Sequence, residues 1–265
     1  MSPTVTALVV AAGAAAAVMV LTWVASLVRH DASLVDRVWG FGFVVVALAV
    51  AHAVDGNDDR QWFLFGMTAL WGLRLSIYLT WRNWGNGEDF RYQSMRKRHG
   101  ARFPWVSLVT VFGVQAALMW IVALPVSLGQ VPDEPGIGVI AGVGVALWAL
   151  GLLFETVGDL QLARFKSDPA NKGQVMDRGL WRYTRHPNYF GDACVWWGIA
   201  LVAAESGLGA IGIIGAVVMT VLLRRVSGVT LLERSLHKRR PGYAEYVART
   251  SPFVPRPPRS AKPHP

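Results

Sequence analysis

An all-α, polytopic membrane helix bundle of about seven transmembrane helices is what the sequence predicts, on three observations. The chain of 265 residues is 53% hydrophobic and only 16% charged. Its apolar residues gather in long stretches, and cations and anions alternate in the short polar segments between them. A helix needs roughly 20 predominantly apolar residues to cross a bilayer, and fewer where flanking side chains snorkel. Stretches of this kind run over 4–28, 38–54, 61–81, 105–128, 136–157, 191–204 and 207–225.

The first stretch lacks a basic leader and is longer than a signal-peptide core, so it reads as a retained helix. The second opens on Ser33-Leu-Val-Asp36, where the three-residue offset resembles a capping box. In the third, Trp71, Arg74, Tyr78 and Arg82 recur at spacings of three and four and share one helix face. An ionisable group inside a span costs on the order of 2.5–3.5 kcal/mol, so Arg74 either snorkels toward the aromatic belt or lines an interior pocket. If Asp36 faces Arg74 or Tyr78, a carboxylate and a phenol meet where they can hydrogen-bond a substrate carbonyl and supply a proton.

The fourth stretch follows a long basic loop, 82–104. The fifth opens on Gly136-Ile-Gly138-Val-Ile-Ala141. That matches a loose dinucleotide fingerprint, but it starts an apolar span instead of joining a strand to a helix, so close helix packing explains it better. The same reading covers Gly209, Gly212 and Gly215 in the seventh stretch. At the inner end of the fifth, Glu155 and Asp159 stand one turn apart and require a cation nearby, with Arg185, Arg224 or Arg225 as candidates. The sixth begins at Asp192, an acid where a helix N-terminus favours one. Residues 226–250 have helical character, and the proline-rich 251–265 reads as a disordered tail. Residues 1–250 therefore form one membrane domain.

The charges set the orientation. Most of the 26 Lys and Arg follow the first, third, fifth and seventh stretches, whereas Asp55, Asp58, Asp59, Asp133, Glu134 and Glu205 occupy the alternate turns with Arg60. The positive-inside rule then places the N-terminus outside and the C-terminus in the cytoplasm, for a multi-pass membrane protein. The net charge of +9 is a topology signal with a weak attraction to anionic membrane lipids. Divided among four loops, the cations do not make a nucleic-acid surface. Cys194 stands alone, which excludes a disulfide framework, and no His or Cys spacing suggests a metal.

The loop 158–190 concentrates chemistry. Lys166, Arg178, Arg182 and Arg185, with Lys172, supply point charges and planar forks for a polyanion. Trp181, Tyr183 and Tyr189 offer flat surfaces for a ring, Pro187 sets the chain before the span, and Asn188 presents an amide beside Asp192.

GLWRYTRHPNYFGD, preceded by FKSDPANKG and followed by Glu233 and RPGYAEY, resembles the C-terminal half of the membrane superfamily of steroid 5α-reductases and sterol reductases. The isoprenylcysteine carboxyl methyltransferases are related to it, and SLVDRVWGFGF and RLSIYLTWRNWGNGEDFRYQ resemble its bacterial branch. The resemblance implies an NADPH-dependent reductase acting on a carbon-carbon double bond of a lipophilic substrate, with 155–250 as the cofactor-binding half. It puts Asn188 and Asp192 near the nicotinamide carboxamide, and Lys166, Arg178, Arg182 and Arg185 near phosphates or ribose. Asp168 contacts ribose or adenine, Tyr189 and Tyr243 shape the pocket, and Arg74, Tyr78 and Arg82 surround nicotinamide and substrate. Trp71 departs from the tyrosine that steroid reductases tend to carry, and the first half shows no Gln-Glu pair. Two other classes stand beside it: an S-adenosylmethionine-dependent methyltransferase and a non-catalytic lipid-binding protein.

Overall fold

The computed structural model describes residues 1–132, 138–226, 233 and 242–259. Asp133, Glu134 and Gly136, most of the segment 227–241, and Lys262 with the end of the tail lie outside the described residues. The regular elements of the described residues are all helices, apart from a single bridge between Thr184 and Ser251. Six of its helices are long and apolar enough to cross a membrane, close to the seven predicted. The helix Pro187–Ala204, expected as a crossing over 191–204, is 18 residues long, but Asn188 and Asp192 leave it more polar than the six.

The chain divides into two compact units, Met1–Gly144 with Ile199–Gly215, and Val145–Gly198 with Ala216–Pro265. In the first, α1 (Pro3–Arg29) starts where the Ser2 hydroxyl accepts from the Val5 amide and Pro3 stands at the first turn, a position that needs no N–H. Its buried face repeats as Ala7, Ala11 and Ala15, small side chains at four-residue spacing that let α2 (Leu34–Ala53) come close, and continues with the larger Met19. The α2 helix crosses α3 (Asp58–Arg82) at Gly40 and Gly72. A methyl on either glycine would fall on the carbonyl oxygen of the other. Beside this crossing, Phe43 packs edge-on against Trp71 at 5.6 Å, and the Phe41 amide donates to the Ser76 hydroxyl at 2.8 Å.

Ser33 does not cap α2 with its side chain. Its amide donates to Asp31 at 2.9 Å and its hydroxyl is also drawn to that carboxylate, so the expected capping box does not form.

After α3 the chain continues through α4 (Phe90–His99), a short 3-10 turn, α5 (Phe103–Ser107), a π-helical segment Leu108–Gly113, α6 (Val114–Val122) and α7 (Leu124–Gly129). Trp23 donates to the Pro104 carbonyl and Trp120 to that of Leu8, each at 3.0 Å, tying this rod to both ends of α1. Gly212 and Gly215 lie against Pro125 and the Val122 carbonyl, where a side chain would collide, which is the close packing the sequence predicts.

The second unit takes most of α8 (Val139–Ser167) and of α9 (Pro187–Ala204), the end of α10 (Ile213–Val221), a second π-helical segment Leu222–Val226, and α11 (Tyr243–Arg249). The α8 and α9 helices touch backbone to backbone at Gly151 and Gly191, where an added Cβ would lie 2.5 Å from the opposing carbonyl oxygen. Residues 251–259, expected to be disordered, instead run along the chain at 183–185. Arg185 donates its amide to the Ser251 carbonyl, Arg256 to Tyr183 and Arg259 to Arg249, at 2.9–3.0 Å. The Thr184 hydroxyl donates to the Phe253 carbonyl at 2.7 Å, and the Phe253 ring is buried.

Candidate functional site

In the second unit, the loop between α8 and α9 is built on fixed turns. Asp168 accepts from the Ala170 amide at 2.9 Å and from the Asn171 side chain at 3.3 Å, so its carboxylate caps the turn Pro169–Asn171. Gly179 has φ +58°, and a side chain there would strike Gln161, whose oxygen accepts from the Leu180 amide at 3.0 Å. Trp181 donates to the Gly158 carbonyl at 3.0 Å, and the Tyr246 hydroxyl donates to the Trp181 carbonyl at 2.5 Å. These bonds hold the 3-10 turn Gly179–Arg182 against α8 and α11.

That turn projects Arg178 and Arg182 into a solvent-open recess of about 620 Å³, which Asp177, Gly179, Arg249, Thr250, Pro258 and Arg259 complete. Four guanidiniums therefore border one cavity. Arg249 pairs with Asp177; Arg178, Arg182 and Arg259 have no ion pair among the described residues. Concentrated positive charge at a cleft of this kind attracts polyanions, and guanidinium forks match phosphate oxygens.

Arg185 is turned away from that role. It is 8% exposed, its Nε and one terminal nitrogen donate to Glu233 at 2.7 and 3.3 Å, and the other donates to the carbonyls of Val247 and Thr250. The sequence expectation made it a phosphate ligand; in the structure the guanidinium braces the C-terminal segment. His186 also meets Glu233, at 3.1 Å, and stacks on Tyr189 at 5.5 Å. Burial pushes the Glu233 carboxyl up, but hydrogen bonds from His186 and Arg185 and the guanidinium charge outweigh it and hold the pKa below the ordinary glutamate value. A depressed pKa adds stability that is complete above the unfolded value and lost as pH falls through the folded one. Thermal melts should therefore show the Glu233 contribution present at neutral pH and fading below about pH 4.5, and a Glu233→Gln variant should lack that dependence. Tyr243 is buried beside this group; burial, then the Glu233 charge, pushes its hydroxyl up to about 12.

Asn188 donates to Asp159 at 3.1 Å and accepts from the Tyr189 amide. The amide expected to face a carboxamide thus lies against α8, where Glu155 and Asp159 are buried, and Asp192 follows one turn further along α9. Lys166 and Asp168 do not line the arginine recess.

In the first unit, the Arg74 and Arg82 guanidiniums lie over the Tyr78 ring at 5.4 and 5.6 Å, so the shared face the spacing predicts is present. Tyr78 is buried, and Trp71 is fully so. A carboxylate and a phenol do meet at the start of α2, but the phenol is Tyr92: its hydroxyl donates to Asp36 at 2.9 Å, and Arg91 reaches the other carboxylate oxygen at 2.6 Å. Sequence reasoning missed Tyr92, Arg91, Arg249 and Arg259. For the first pair the available signal was FRYQ directly after the acidic Glu88-Asp89, within the long basic loop 82–104.

Residues 22–250 match the family described as "Protein of unknown function (DUF1295)". The chain is also 37% identical over 65 residues to "Probable O-methyltransferase ustE" of Ustilaginoidea virens, a match that covers 24% of this chain and only 22% of that protein. No solved structure matches the chain.

Proposed function

We propose, on the premise that the chain belongs to the DUF1295 family, that it is an integral-membrane NADPH-dependent reductase acting on a carbon-carbon double bond of a steroid, isoprenoid or other lipid-like substrate. The observation that carries this reading is the recess bordered by Arg178, Arg182, Arg249 and Arg259. Its charge suits a cofactor rich in phosphate. The motif resemblance to steroid 5α-reductases supports the same class.

NADPH, when bound, supplies a hydride. The chain's own residues supply position and charge. Arg178 and Arg182 would hold phosphate, while Asp192 at the start of α9, and Asn188 once its amide leaves Asp159, would orient the amide-bearing ring. That hydride would go to the β-carbon of an electron-poor alkene, and the α-carbon would take a proton from the protein. In the first unit, Tyr78, flanked by the Arg74 and Arg82 guanidiniums, is the candidate hydrogen-bond donor for a conjugated oxygen that gains negative charge. Asp36, bonded to Tyr92, is the second candidate for the proton.

The partial likeness to a protein named as an O-methyltransferase favours a second reading, in which S-adenosylmethionine is the ligand. The recess opposes it: S-adenosylmethionine has no phosphate, and its single carboxylate is offset by a sulfonium and an ammonium, so it matches four guanidiniums less well than a pyrophosphate does. Thermal shifts of the detergent-purified chain with NADPH, NADH and S-adenosylmethionine separate these. Stabilisation by NADPH is expected; stabilisation by the methyl donor alone would sink the reductase reading, and none by any ligand would favour a non-catalytic lipid-binding protein. In turnover assays, Tyr78→Phe should keep cofactor affinity and lose on the order of 100-fold in rate, as removal of one hydrogen-bond donor to a developing oxyanion does. Full turnover in that variant would remove Tyr78 from the chemistry.

A further inference from the structure

The recess is assembled from three sequence-remote pieces: the turn at 178–182, the end of α11 at Arg249–Thr250, and the strap at Pro258–Arg259. The last lies beyond residue 250, where the family match ends. Without it, two guanidiniums of the loop and one already paired with Asp177 would remain.

The strap is fixed by bonds that do not involve its arginine side chains. Amides of Arg256 and Arg259 donate to carbonyls, the carbonyls of Ser251 and Phe253 accept, and the buried Phe253 ring packs edge-on against Phe190 at 6.1 Å, with the Arg224 guanidinium over the Phe253 ring at 5.4 Å. Arg259 is thereby carried on a backbone already in place, with its side chain exposed at the cavity wall. A group held this way before the ligand arrives loses little ordering entropy on binding.

Charge matching identifies what it reads. A pyrophosphate linkage carries about two negative charges, which the Arg178 and Arg182 forks balance; a phosphomonoester adds about 1.5 to 2 more near neutral pH. Arg249 alone cannot meet that addition, because Asp177 already engages it. Arg259 makes up the difference.

We propose that the strap Ser251–Arg259 makes the recess selective for a ligand bearing a phosphomonoester in addition to a pyrophosphate, with Arg259 the specificity-determining residue. This rests on the dinucleotide reading above and extends it: the strap is what distinguishes NADPH from NADH.

The test measures NADPH and NADH affinity of the full chain in detergent by calorimetry, with adenosine 2′,5′-bisphosphate and adenosine 5′-monophosphate as smaller probes. The wild-type chain should prefer NADPH and the bisphosphate. Arg259→Ala should weaken both by about 10- to 100-fold, the loss of one charge-assisted hydrogen-bonding group, while NADH changes less than about threefold. Arg256→Ala, which keeps its backbone bond and lies off the recess, should bind both dinucleotides as the wild type does. Unchanged melting of the ligand-free Arg259→Ala chain would show that the strap stays seated. Equal wild-type affinity for the two dinucleotides, or parallel loss of both in Arg259→Ala, would overturn the strap's role and leave the cofactor reading standing. Failure of the wild-type chain to bind either dinucleotide would overturn both.

Discussion

Arg185→Ala should destabilise the second unit by about 3 kcal/mol, the lower end of what breaking a buried ion pair costs, because Glu233 keeps some exposure to water. The loss has two sources. Glu233 forfeits a two-point partner at 2.7 and 3.3 Å, and the carbonyls of Val247 and Thr250, at the end of α11, lose their shared donor. Arg185→Lys should recover little, since an ammonium has no fork to span a carboxylate and two carbonyls together. Thermal unfolding in detergent measures this directly, with Arg182→Ala as the comparison: it should melt like the wild type and lose NADPH affinity. If Arg185→Ala instead melts normally and loses only affinity, the brace is not holding the C-terminal segment, and the guanidinium belongs with the phosphate ligands.

Gly40→Leu should be more damaging still. At the α2–α3 crossing a side chain meets the Gly72 backbone, which cannot swing aside as a flexible side chain would. The helices must part, at a cost of about 3 kcal/mol or more for overpacking. The Phe43–Trp71 contact and the Phe41–Ser76 bond would loosen with them. Gly66→Ala is the control: it lies on α3 with open space beside it, so it should leave stability unchanged or raise it by up to about 1 kcal/mol through helix propensity. Melting curves and detergent-extracted yield report both. A Gly40→Leu chain as stable as wild type would mean that the two backbones are not in contact.

Readings that depend on near neighbours in sequence were legible before any coordinates. The face carrying Trp71, Arg74, Tyr78 and Arg82 follows from helical period alone, and the close packing at Gly212 and Gly215 from the scarcity of any other use for glycine in a span. Partners chosen across the fold were not. Asp36 finds Arg91 and Tyr92, 55 and 56 residues away, and Arg185 finds Glu233, 48 residues away; nothing in the local pattern ranks those partners above others of the same chemistry. The Ser33 cap failed for a local reason that spacing does not encode, because Asp31 lies two residues upstream and takes the hydroxyl first. The strap was hidden by composition. Proline at 252, 255, 257 and 258 removes amides, yet the two donors the strap uses, at Arg256 and Arg259, are among the positions proline leaves intact.

A π-helical turn is an α-helix that has taken in one residue too many, and the segment Leu108–Gly113 is such a turn between α5 and α6. It makes this rod a place where the chain's length can change without breaking a helix. Removing one residue there would restore an ordinary α-helix, but it would turn everything on one side by about 100° relative to the other. Trp120 could then no longer keep its bond to Leu8 while Pro104 keeps its bond to Trp23. The surplus residue thus works as a phase setting, matching two ends of one rod to two ends of α1.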